Sequence, residues 1–435
     1  MKTAIIIAGG KATRLGNLSK DTPKGLIKIG RKPVLEHQIE LLRQYGIREI
    51  WILLGYLGEQ IKEYFKDGKK WNVSIKYLQE KSPLGTAGAL KNLEKEMKRE
   101  KDDFLVLSGD VMLDMDIKRL IVWNKKKGKK VGTIIVHPND HPKDSDLVEI
   151  DKEGRISSFL KRPHPQGSNF RNLSIASGYI FSSDIFKYIT KRKKCDIEKD
   201  IFPLVLKSKG KLFAYNTPEY IKDMGTPKRL KEVRQDYNSG KIKKLNLKNK
   251  RKAVFLDRDG VINRQVDDLS KIKDFKLYNF SAKAIKKING SDYLTIIVTN
   301  QPAIAKGFMK EEELTEMHKK LETEIGLKGA KIDAIYYCPH HPEKGFSGEV
   351  PELKIKCDCR KPGIGLIKRA AEDFNLDLSK SVLIGDSSFD AKTAENARIK
   401  FLGIKTGYSC RDGRYQTKQK SSLFKNLLEA VKEIC

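Results

Sequence analysis

The sequence predicts an α/β protein of two domains, each with a mainly parallel sheet covered by helices. The chain has 435 residues, which exceeds what one hydrophobic core usually supports. Short apolar runs recur in both halves, each followed by a glycine or acidic turn and then by helical periodicity, as is typical of buried parallel strands. The runs are TAIIIAGG, REIWILLG and DDFLVLSGD in the first half and KAVFLDRDG, YLTIIVTNQ and SVLIGDSS in the second.

A polar stretch separates the two halves. After helical periodicity that ends near Arg234, the chain reads QDYNSGKIKKLNLKNKRK, which is highly charged and has no apolar period. We therefore predict domains over 1–237 and 252–435, joined by a linker over 238–251. Functional residues in open α/β sheets lie at the carboxyl ends of strands, so they are expected in the turns after the apolar runs.

The composition argues against several classes of protein. No stretch approaches the roughly 18 consecutive apolar residues of a membrane helix, and the first apolar run is too short for a signal peptide. We expect a cytoplasmic protein with no membrane partner. The formal net charge is +31, but the lysines are spread along the chain without a nucleic-acid-binding module. We therefore expect a solvated surface that attracts anionic substrates, and no nucleic-acid partner.

The loop after the first apolar run combines glycines with cations. It reads AGGKATRLGNLSKDTPKG, in which Gly9 and Gly10 allow close approach of a ligand and Arg14 and Lys24 add positive charge. Consecutive N–H groups in such a loop cradle phosphate oxygens. The loop resembles the signature Gly-Gly-x-Gly-Thr-Arg-Leu and Pro-Lys of the sugar-1-phosphate nucleotidylyltransferases, with Ala12 in place of a glycine.

This resemblance extends over residues 1–235 and implies a Rossmann-like fold. The stretch PLGTAGAL at 83–90, which contains Gly85, resembles the family's base-recognition loop. Asp110 in LSGDVMLDMD and Asp223 in KDMGTP match the paired aspartates that hold Mg²⁺ in the family.

The implied reaction is attack of a sugar 1-phosphate on the α-phosphorus of a nucleoside triphosphate, with Arg14 and Lys24 as catalytic residues on the phosphates. No general base is required, because the sugar phosphate is itself the nucleophile. One position departs from the family. Lys161 stands where the family often has the Glu of Glu-Lys-Pro, so the family's sugar contacts do not carry over to this position.

The second half begins with two aspartates after a strand. FLDRDGVIN places Asp257 and Asp259 in one turn, where one carboxylate can act as nucleophile while the other transfers the proton of the leaving group. This pattern resembles the haloacid dehalogenase superfamily of phosphatases. Three further stretches follow in that superfamily's order, namely Thr299-Asn300-Gln301, Arg360-Lys361-Pro362 and Gly385-Asp386-Ser387 with Asp390.

The resemblance implies a role for each of these residues. Asp257 would form an aspartyl-phosphate, and Asp259 would act as general acid and then as general base. Asp257, the carbonyl of Asp259 and Asp386 would hold Mg²⁺. The phosphoryl group would be bound by Thr299, Asn300 and Lys361, with Arg360 beside them.

Three of the six cysteines and two of the seven histidines are concentrated in CPHHPEKGFSGEVPELKIKCDC, residues 338–359. In a reducing compartment such a cluster indicates metal ligands rather than disulfides. Three thiolates and one imidazole form the closed tetrahedral set of a structural zinc site. The expected ligands are Cys338, His340, Cys357 and Cys359. His341 is an alternative to His340, and zinc would supply the ordering energy of a loop with little apolar content.

A zinc loop at this point resembles one branch of the superfamily, the heptose bisphosphate and histidinol-phosphate phosphatases, over residues 252–409. The first domain needs an anomeric phosphate, so a phosphatase beside it must remove a different one. The implied substrates are D-glycero-D-manno-heptose 1,7-bisphosphate, the resulting heptose 1-phosphate and a nucleoside triphosphate, with GTP favoured. The implied product is GDP-heptose for lipopolysaccharide or another surface polysaccharide.

Two alternatives stay open. Another guanylyltransferase, such as one for mannose 1-phosphate, could be fused to a phosphatase of different specificity, such as a histidinol-phosphate phosphatase. A nucleic-acid-binding protein with vestigial enzyme folds is opposed by the intact set of Asp257, Asp259, Lys361 and Asp386. The sequence leaves open the nucleobase, the sugar anomer, whether the chain forms a homo-oligomer, and whether intermediates pass between sites.

Overall fold

The described residues form two compact units. The computed structural model describes residues 1–10, 14–16, 20–80, 82–99, 102–191, 194–418 and 422–435. Unit 1 comprises Met1–His137, Val148–Leu160 and Ile175–Lys248, and unit 2 comprises Pro138–Leu147, Lys161–Ser174 and Asn249–Cys435. Two segments of the first half thus cluster with unit 2, and the chain leaves unit 1 inside the predicted linker. The exact domain limits stay a prediction.

Unit 1 is built on a nine-stranded mixed sheet with a parallel centre. The strands of this half of the chain are β1 Thr3–Ala8, β2 Lys28–Ile29, β3 Lys32–Pro33, β4 Glu49–Leu54, β5 Ser74–Gln79, β6 Phe104–Ser108, β7 Val111–Asp114, β8 Gly132–Pro138, β9 Leu147–Ile150, β10 Ile156–Leu160, β11 Leu173–Phe181, β12 Leu212–Asn216 and β13 Tyr220–Asp223. β2 pairs with β3, and β7 pairs with β13, in two separate two-stranded sheets; the other nine strands form the large sheet. The helices of unit 1 are α1 Val34–Gln44, α2 Gly58–Phe65, α3 Gly85–Lys91, α4 Glu94–Arg99, α5 Ile117–Lys126, α6 Phe202–Lys207, α7 Pro227–Asn238 and α8 Lys241–Lys244. The sheet order is β10-β9-β11-β6-β1-β4-β5, and β8 pairs with β11 and β12.

The three apolar runs of the first half form the parallel centre of this sheet as β1, β4 and β6. β1 pairs in parallel with β4 and with β6, whereas β11 is antiparallel to β6. The loops after β1 and β6 therefore open at the same edge of the sheet. β13 pairs antiparallel with β7 and places Asp223 opposite Val111, at that same edge.

Unit 2 is built on a six-stranded, fully parallel sheet. Its strands are β14 Lys252–Leu256, β15 Tyr293–Asn300, β16 Ala334–Cys338, β17 Val382–Gly385, β18 Lys400–Ile404 and β19 Ser422–Phe424, in the order β16-β15-β14-β17-β18-β19. Its helices are α9 Ser281–Asn289, α10 Glu311–Gly326, α11 Gly365–Phe374, α12 Ser388–Ala397 and α13 Leu427–Lys432. β14 lies between β15 and β17, so the turns after these three strands converge. Within the ranges described above, no helix is long and apolar enough to cross a lipid bilayer.

Part of the stretch predicted as a linker, 238–251, packs on unit 1. α8 lies within it, and the side chains of Ile242 and Leu247 are 2% and 1% exposed. The N–H of Leu247 donates to the buried carboxylate of Glu219 at 2.8 Å. The three apolar residues of this stretch, Ile242, Leu245 and Leu247, stand among lysines and asparagines without a recognisable period, which is why the sequence alone does not reveal this packing.

Leu247→Ala is expected to destabilise unit 1 by about 2–4 kcal/mol, because it leaves a cavity among buried side chains. All three tryptophans lie in unit 1, so urea unfolding followed by tryptophan fluorescence reports on that unit. As a control, replacement of the exposed Lys250 by Ala should change the free energy of unfolding by less than about 0.5 kcal/mol. Equal unfolding midpoints for the two variants would contradict the packing of this stretch on unit 1.

Candidate active sites

The first candidate site lies in unit 1, where β1 and β6 end. Lys24 Nζ lies 2.8 Å from Asp110 Oδ2, and Ser108 Oγ donates to Asp110 Oδ1 at 2.7 Å. Burial disfavours ionisation of the Asp110 carboxyl, but Lys24 and Ser108 outweigh burial and hold its pKa below the usual value. The structure thus pairs a cation expected to bind phosphate with a carboxylate expected to bind metal.

Asp223 and Arg14 both lie close to Gly225 at the same edge. Asp223 ends β13, which pairs with β7 directly after Asp110. A Cβ on Gly225 would stand 2.9 Å from Asp223 Oδ1 and 3.1 Å from Arg14 Nη2, so both groups flank that glycine. Arg229 Nη1 lies 2.5 Å from Asp223 Oδ2, a contact that the motifs did not predict.

The predicted ligand-binding glycines differ in their surroundings. A Cβ on Gly9 would lie 3.1 Å from a carboxylate oxygen, whereas a Cβ on Gly10 would meet nothing within 4 Å. Gly85 has φ +75°, and a Cβ there would lie 2.4 Å from the carbonyl oxygen of Cys195. Gly85 therefore allows two chain segments to approach closely, whatever it does toward a ligand. Residues 11–13 of the signature lie outside the described residues.

The second candidate site lies in unit 2, directly after the central strand β14. Lys361 Nζ lies 2.9 Å from Asp257 Oδ2 and 2.5 Å from Asp390 Oδ1. Carboxylate oxygens of Asp257, Asp386 and Asp390 lie within 4.8 Å of one another. The side chains of Lys361, Asp386 and Asp390 are buried.

The charges in this cluster do not balance. Burial raises the pKa of Asp257 and of Asp386, and the neighbouring Asp390 adds to both shifts, while Lys361 opposes them. Burial alone would lower the pKa of Lys361, but Asp257 and Asp390 outweigh it and raise that pKa. Three carboxylates sharing one ammonium leave excess negative charge in a buried place. Oxygen donors with that excess fit a divalent cation such as Mg²⁺.

The other predicted residues of this site form hydrogen bonds mainly with backbone groups and with neighbouring side chains. The Asn300 side chain donates to the Lys361 carbonyl at 3.2 Å and accepts from the Lys361 N–H at 2.9 Å, so it fixes that residue's backbone. Thr299 is buried, and its hydroxyl accepts from Gln301 Nε2 at 2.9 Å. The carboxylate of Asp259 lies outside the carboxylate cluster, in a separate hydrogen-bond network.

Asp390 is a site residue to which sequence reasoning assigned no role. Its Oδ2 accepts from the N–H and the hydroxyl of Ser387 at 3.2 and 2.6 Å and so caps α12, while its Oδ1 holds Lys361. The signal was present, because Asp390 follows Asp386 by four residues in GDSSFD. Spacing alone did not show that one carboxylate serves both as a helix cap and as a partner of the lysine.

The sulfur-rich segment brings its four predicted ligands together. Cys359 Sγ lies 3.2 Å from the Sγ atoms of both Cys338 and Cys357, which are 3.6 Å apart. Nδ1 of His340 lies 3.3 Å from Cys359 Sγ, whereas His341 faces a backbone carbonyl. Zinc–sulfur bonds of about 2.3 Å place tetrahedral sulfurs about 3.8 Å apart, so this donor set fits zinc and is far too open for disulfides.

The loop between the cysteine pairs also has packing of its own. The ring of Phe346 has Lys354 Nζ at 4.5 Å and Lys306 Nζ at 4.9 Å from its centroid, and the side chain of Lys354 is buried. Arg360 Nη1 donates to the carbonyl of His340 at 3.2 Å. The sequence suggested a loop ordered by metal alone, because a single phenylalanine between lysines gives no hydrophobic pattern.

The fold and these sites define a chain with two enzyme units. Residues 3–240 match the model of the family described as Nucleotidyl transferase, and residues 358–430 match that of the HAD-hydrolase-like family. The chain belongs to the nucleotidyl transferase family, and its second half carries a HAD-like hydrolase unit. Both resemblances drawn from the motifs, and the fusion of the two, are confirmed.

Individual relatives match one half each. Mannose-1-phosphate guanylyltransferase catalytic subunit beta of Drosophila pseudoobscura pseudoobscura is 34% identical over 226 residues, which are 52% of this chain and 59% of that protein. The D-glycero-alpha-D-manno-heptose-1,7-bisphosphate 7-phosphatase of Photorhabdus laumondii is 41% identical over 162 residues, 37% of this chain and 86% of that protein. The crystal structure of HddC from Yersinia pseudotuberculosis matches 55% of this chain and all of its own, with 27% identity and a TM-score of 0.47.

Asp390→Asn is expected to weaken one Mg²⁺ site about tenfold or more, because it removes a charge from the cluster and loosens Lys361. Titration calorimetry with Mg²⁺ on the full chain measures this affinity. Asp274→Asn, which removes an exposed carboxylate of the same unit, is the control and should change nothing. Identical titrations for the two variants would show that Asp390 takes no part in cation binding.

Proposed function

We propose that this chain removes the 7-phosphate of D-glycero-D-manno-heptose 1,7-bisphosphate and transfers a guanylyl group from GTP to the resulting heptose 1-phosphate. The observation that carries this proposal is the presence, in one chain, of a nucleotidyl transferase unit and a phosphatase aspartate cluster. A transferase that consumes an anomeric phosphate can share a pathway with a phosphatase only if that enzyme removes a different phosphate. The 41% identity to a heptose-bisphosphate 7-phosphatase supports the choice of sugar.

In the phosphatase unit, Asp257 is the proposed nucleophile that attacks phosphorus. Its bond to phosphorus forms as the bond to the sugar oxygen breaks, and Asp259 gives that oxygen a proton. Water then attacks the aspartyl-phosphate, gives its proton back to Asp259 and releases inorganic phosphate. Lys361 neutralises the phosphoryl oxygens, while Asp257, the Asp259 carbonyl, Asp386 and Asp390 would hold Mg²⁺, whose charge offsets that of the buried carboxylates.

In the transferase unit, an oxygen of heptose 1-phosphate attacks the α-phosphorus of GTP and pyrophosphate leaves. Arg14 and Lys24 stabilise the charge that builds on the phosphates. Asp110 and Asp223 would hold Mg²⁺, as enzymes of both families generally use this ion. Because Lys24 pairs with Asp110 here, it must exchange that carboxylate for a phosphate when substrate binds.

We assign zinc to the four ligands Cys338, His340, Cys357 and Cys359. The set is closed, so this zinc has a structural role. Burial, together with the neighbouring sulfurs, raises the pKa of Cys338, and a bound cation reverses that shift by stabilising thiolates. Arg360 and Lys361 directly follow Cys359, so zinc would fix the backbone that presents the phosphate-binding lysine.

A second candidate function is guanylyl transfer to mannose 1-phosphate, with the phosphatase acting on another compound. The 34% identity of the first half to a mannose-1-phosphate guanylyltransferase favours it. The family often has a sugar-binding glutamate at the position of Lys161. Because Lys161 carries the opposite charge, we infer that other residues contact the sugar in this chain. Product analysis with both sugars separates the two functions.

The order of steps is tested with two variants that each block one unit. With Asp110→Ala, heptose bisphosphate should accumulate as heptose 1-phosphate, because transfer is blocked while hydrolysis continues. With Asp257→Asn, no sugar nucleotide derived from the 7-dephosphorylated heptose should form. Phosphorus NMR distinguishes the anomeric from the primary monoester, and mass spectrometry with each of the four nucleoside triphosphates identifies the base. Accumulation of heptose 7-phosphate in the first variant would overturn the proposed order.

The zinc assignment is tested with Cys357→Ser. We expect the variant to lose zinc, measured by elemental analysis, and to lower the thermal stability of unit 2 while nucleotidyl transfer continues. Cys435→Ser, which changes a cysteine outside the cluster in the same unit, should keep its zinc. Active wild-type protein without zinc would contradict the assignment.

A further inference from the structure

The carboxylate of Asp259 is held by a fully buried guanidinium. The side chain of Arg258, the residue between the two aspartates of the turn, has no exposed surface. Its Nη2 lies 2.9 Å from Asp259 Oδ2 and 3.1 Å from Oδ1, and its Nε lies 3.3 Å from Oδ1. This forked contact is the geometry in which arginine fixes both the position and the plane of a carboxylate.

Two amides complete the hold on Asp259. Asn263 Nδ2 donates to Oδ1 at 2.8 Å, and Gln301 Nε2 donates to Oδ2 at 2.9 Å. Gln301 Oε1 also accepts from Arg258 Nη2 at 2.9 Å, so this amide orients the guanidinium and the carboxylate together. Each oxygen of Asp259 is bound by at least two donors, which leaves the carboxylate little freedom to rotate.

His318 fixes the guanidinium from α10. Its Nε2 lies 3.2 Å from Arg258 Nη1, and because a guanidinium can only donate, Nε2 must be the acceptor. Burial, reinforced by the charges of Arg258 and Arg171, holds the pKa of His318 well below its usual value and so keeps the ring neutral. The centroid of the Phe275 ring lies 5.8 Å from Cζ of Arg258.

A buried charge of this kind needs a reason beyond stability. Burying an ion pair costs desolvation energy that the contact often fails to recover, whereas buried pairs can impose one specific geometry. The group whose geometry Arg258 fixes is the proposed general acid. Motif resemblance gave roles to the two aspartates and none to the residue between them.

We propose that Arg258 is a positioning residue for proton transfer in the phosphatase reaction. Its buried fork, supported by Gln301 and His318, holds the Asp259 carboxyl in one orientation. It also stabilises the carboxylate that remains when the Asp259 proton passes to the leaving sugar oxygen as the phosphorus–oxygen bond breaks. The inference rests on the proposed phosphatase function and deepens it. The backbone N–H of Arg258 donates to Asp257 Oδ1 at 2.7 Å and is retained when the side chain is replaced. The role proposed here is that of the side chain, which acts through Asp259.

The test compares two esters of similar size in the full chain. The leaving group of benzyl phosphate is an alcohol that needs a proton, whereas p-nitrophenyl phosphate loses a phenolate that needs none. The parameter kcat/KM reports the first irreversible step, which is attack by Asp257. We expect Arg258→Gln to lower kcat/KM about 100-fold or more for benzyl phosphate, the range for general acid catalysis, and only a few-fold for p-nitrophenyl phosphate.

Further variants separate positioning from damage to the fold. His318→Phe removes the ring nitrogen that accepts from Arg258 Nη1. This variant should show the same selective loss of kcat/KM for benzyl phosphate, to a smaller degree. In an Asp259→Asn background, Arg258→Gln should cost no further activity, because the two changes act through one group. Zinc content measured on the same samples reports on the fold of unit 2.

Equal losses on the two esters, or additive effects in the Asp259→Asn background, would overturn the role of Arg258 while leaving the phosphatase function standing. A wild-type chain that releases phosphate from neither ester nor from heptose bisphosphate would contradict the phosphatase function, and this inference with it.

Discussion

The buried ion pairs of the Lys361 ammonium with Asp257 and Asp390 are the interaction on which the candidate site of unit 2 depends. The ammonium is buried between Asp257 and Asp390, and a buried carboxylate without such a partner would pay a large desolvation cost. The ammonium reaches this place because Asn300 holds the backbone of Lys361 from both sides, and because the chain enters directly from Cys359. Cys359 of the sulfur cluster and Lys361, which contacts the aspartate cluster, are separated only by Arg360, so the position of one cluster constrains the position of the other.

The parallel centres of both sheets could be predicted from sequence, because a central parallel strand buries both of its faces and is written as an unbroken apolar run. TAIIIAGG and KAVFLDRDG became β1 and β14 for this reason. The antiparallel flank of unit 1 and the packing of Leu247 could not be predicted. Leu247 lies among lysines, and the antiparallel strands β9, β10 and β11 (LVEI, ISSFL and LSIASGYIF) mix apolar with polar residues. In both cases tertiary contacts decide which apolar residues are buried.

The candidate sites show the same division. The proximity of Asp257 and Asp386 was predictable, because each directly follows one of the neighbouring parallel strands β14 and β17, whose carboxyl ends meet at one edge of the sheet. Lys361 follows no strand, and only its resemblance to the superfamily's Arg-Lys-Pro stretch pointed to it. The role of Arg258 was not predictable, since it depends on His318, which is 60 residues away on a helix with no motif of its own. The pairing of Lys24 with Asp110 likewise joins residues 86 apart, each assigned to a different ligand when the motifs were considered separately.

Both units thus pair a cation expected to bind phosphate with a carboxylate expected to bind metal. The distances are 2.8 Å for Lys24 with Asp110 and 2.9 Å for Lys361 with Asp257. A phosphate that took the ammonium alone would leave the carboxylate unpaired, and a divalent cation that took the carboxylate alone would repel the ammonium. Arrival of both restores the pairing, with phosphate on the ammonium and metal on the carboxylate. If the proposed ligands bind at these residues, the charge arrangement would couple metal binding to phosphate binding in each unit, and by linkage the coupling would be reciprocal.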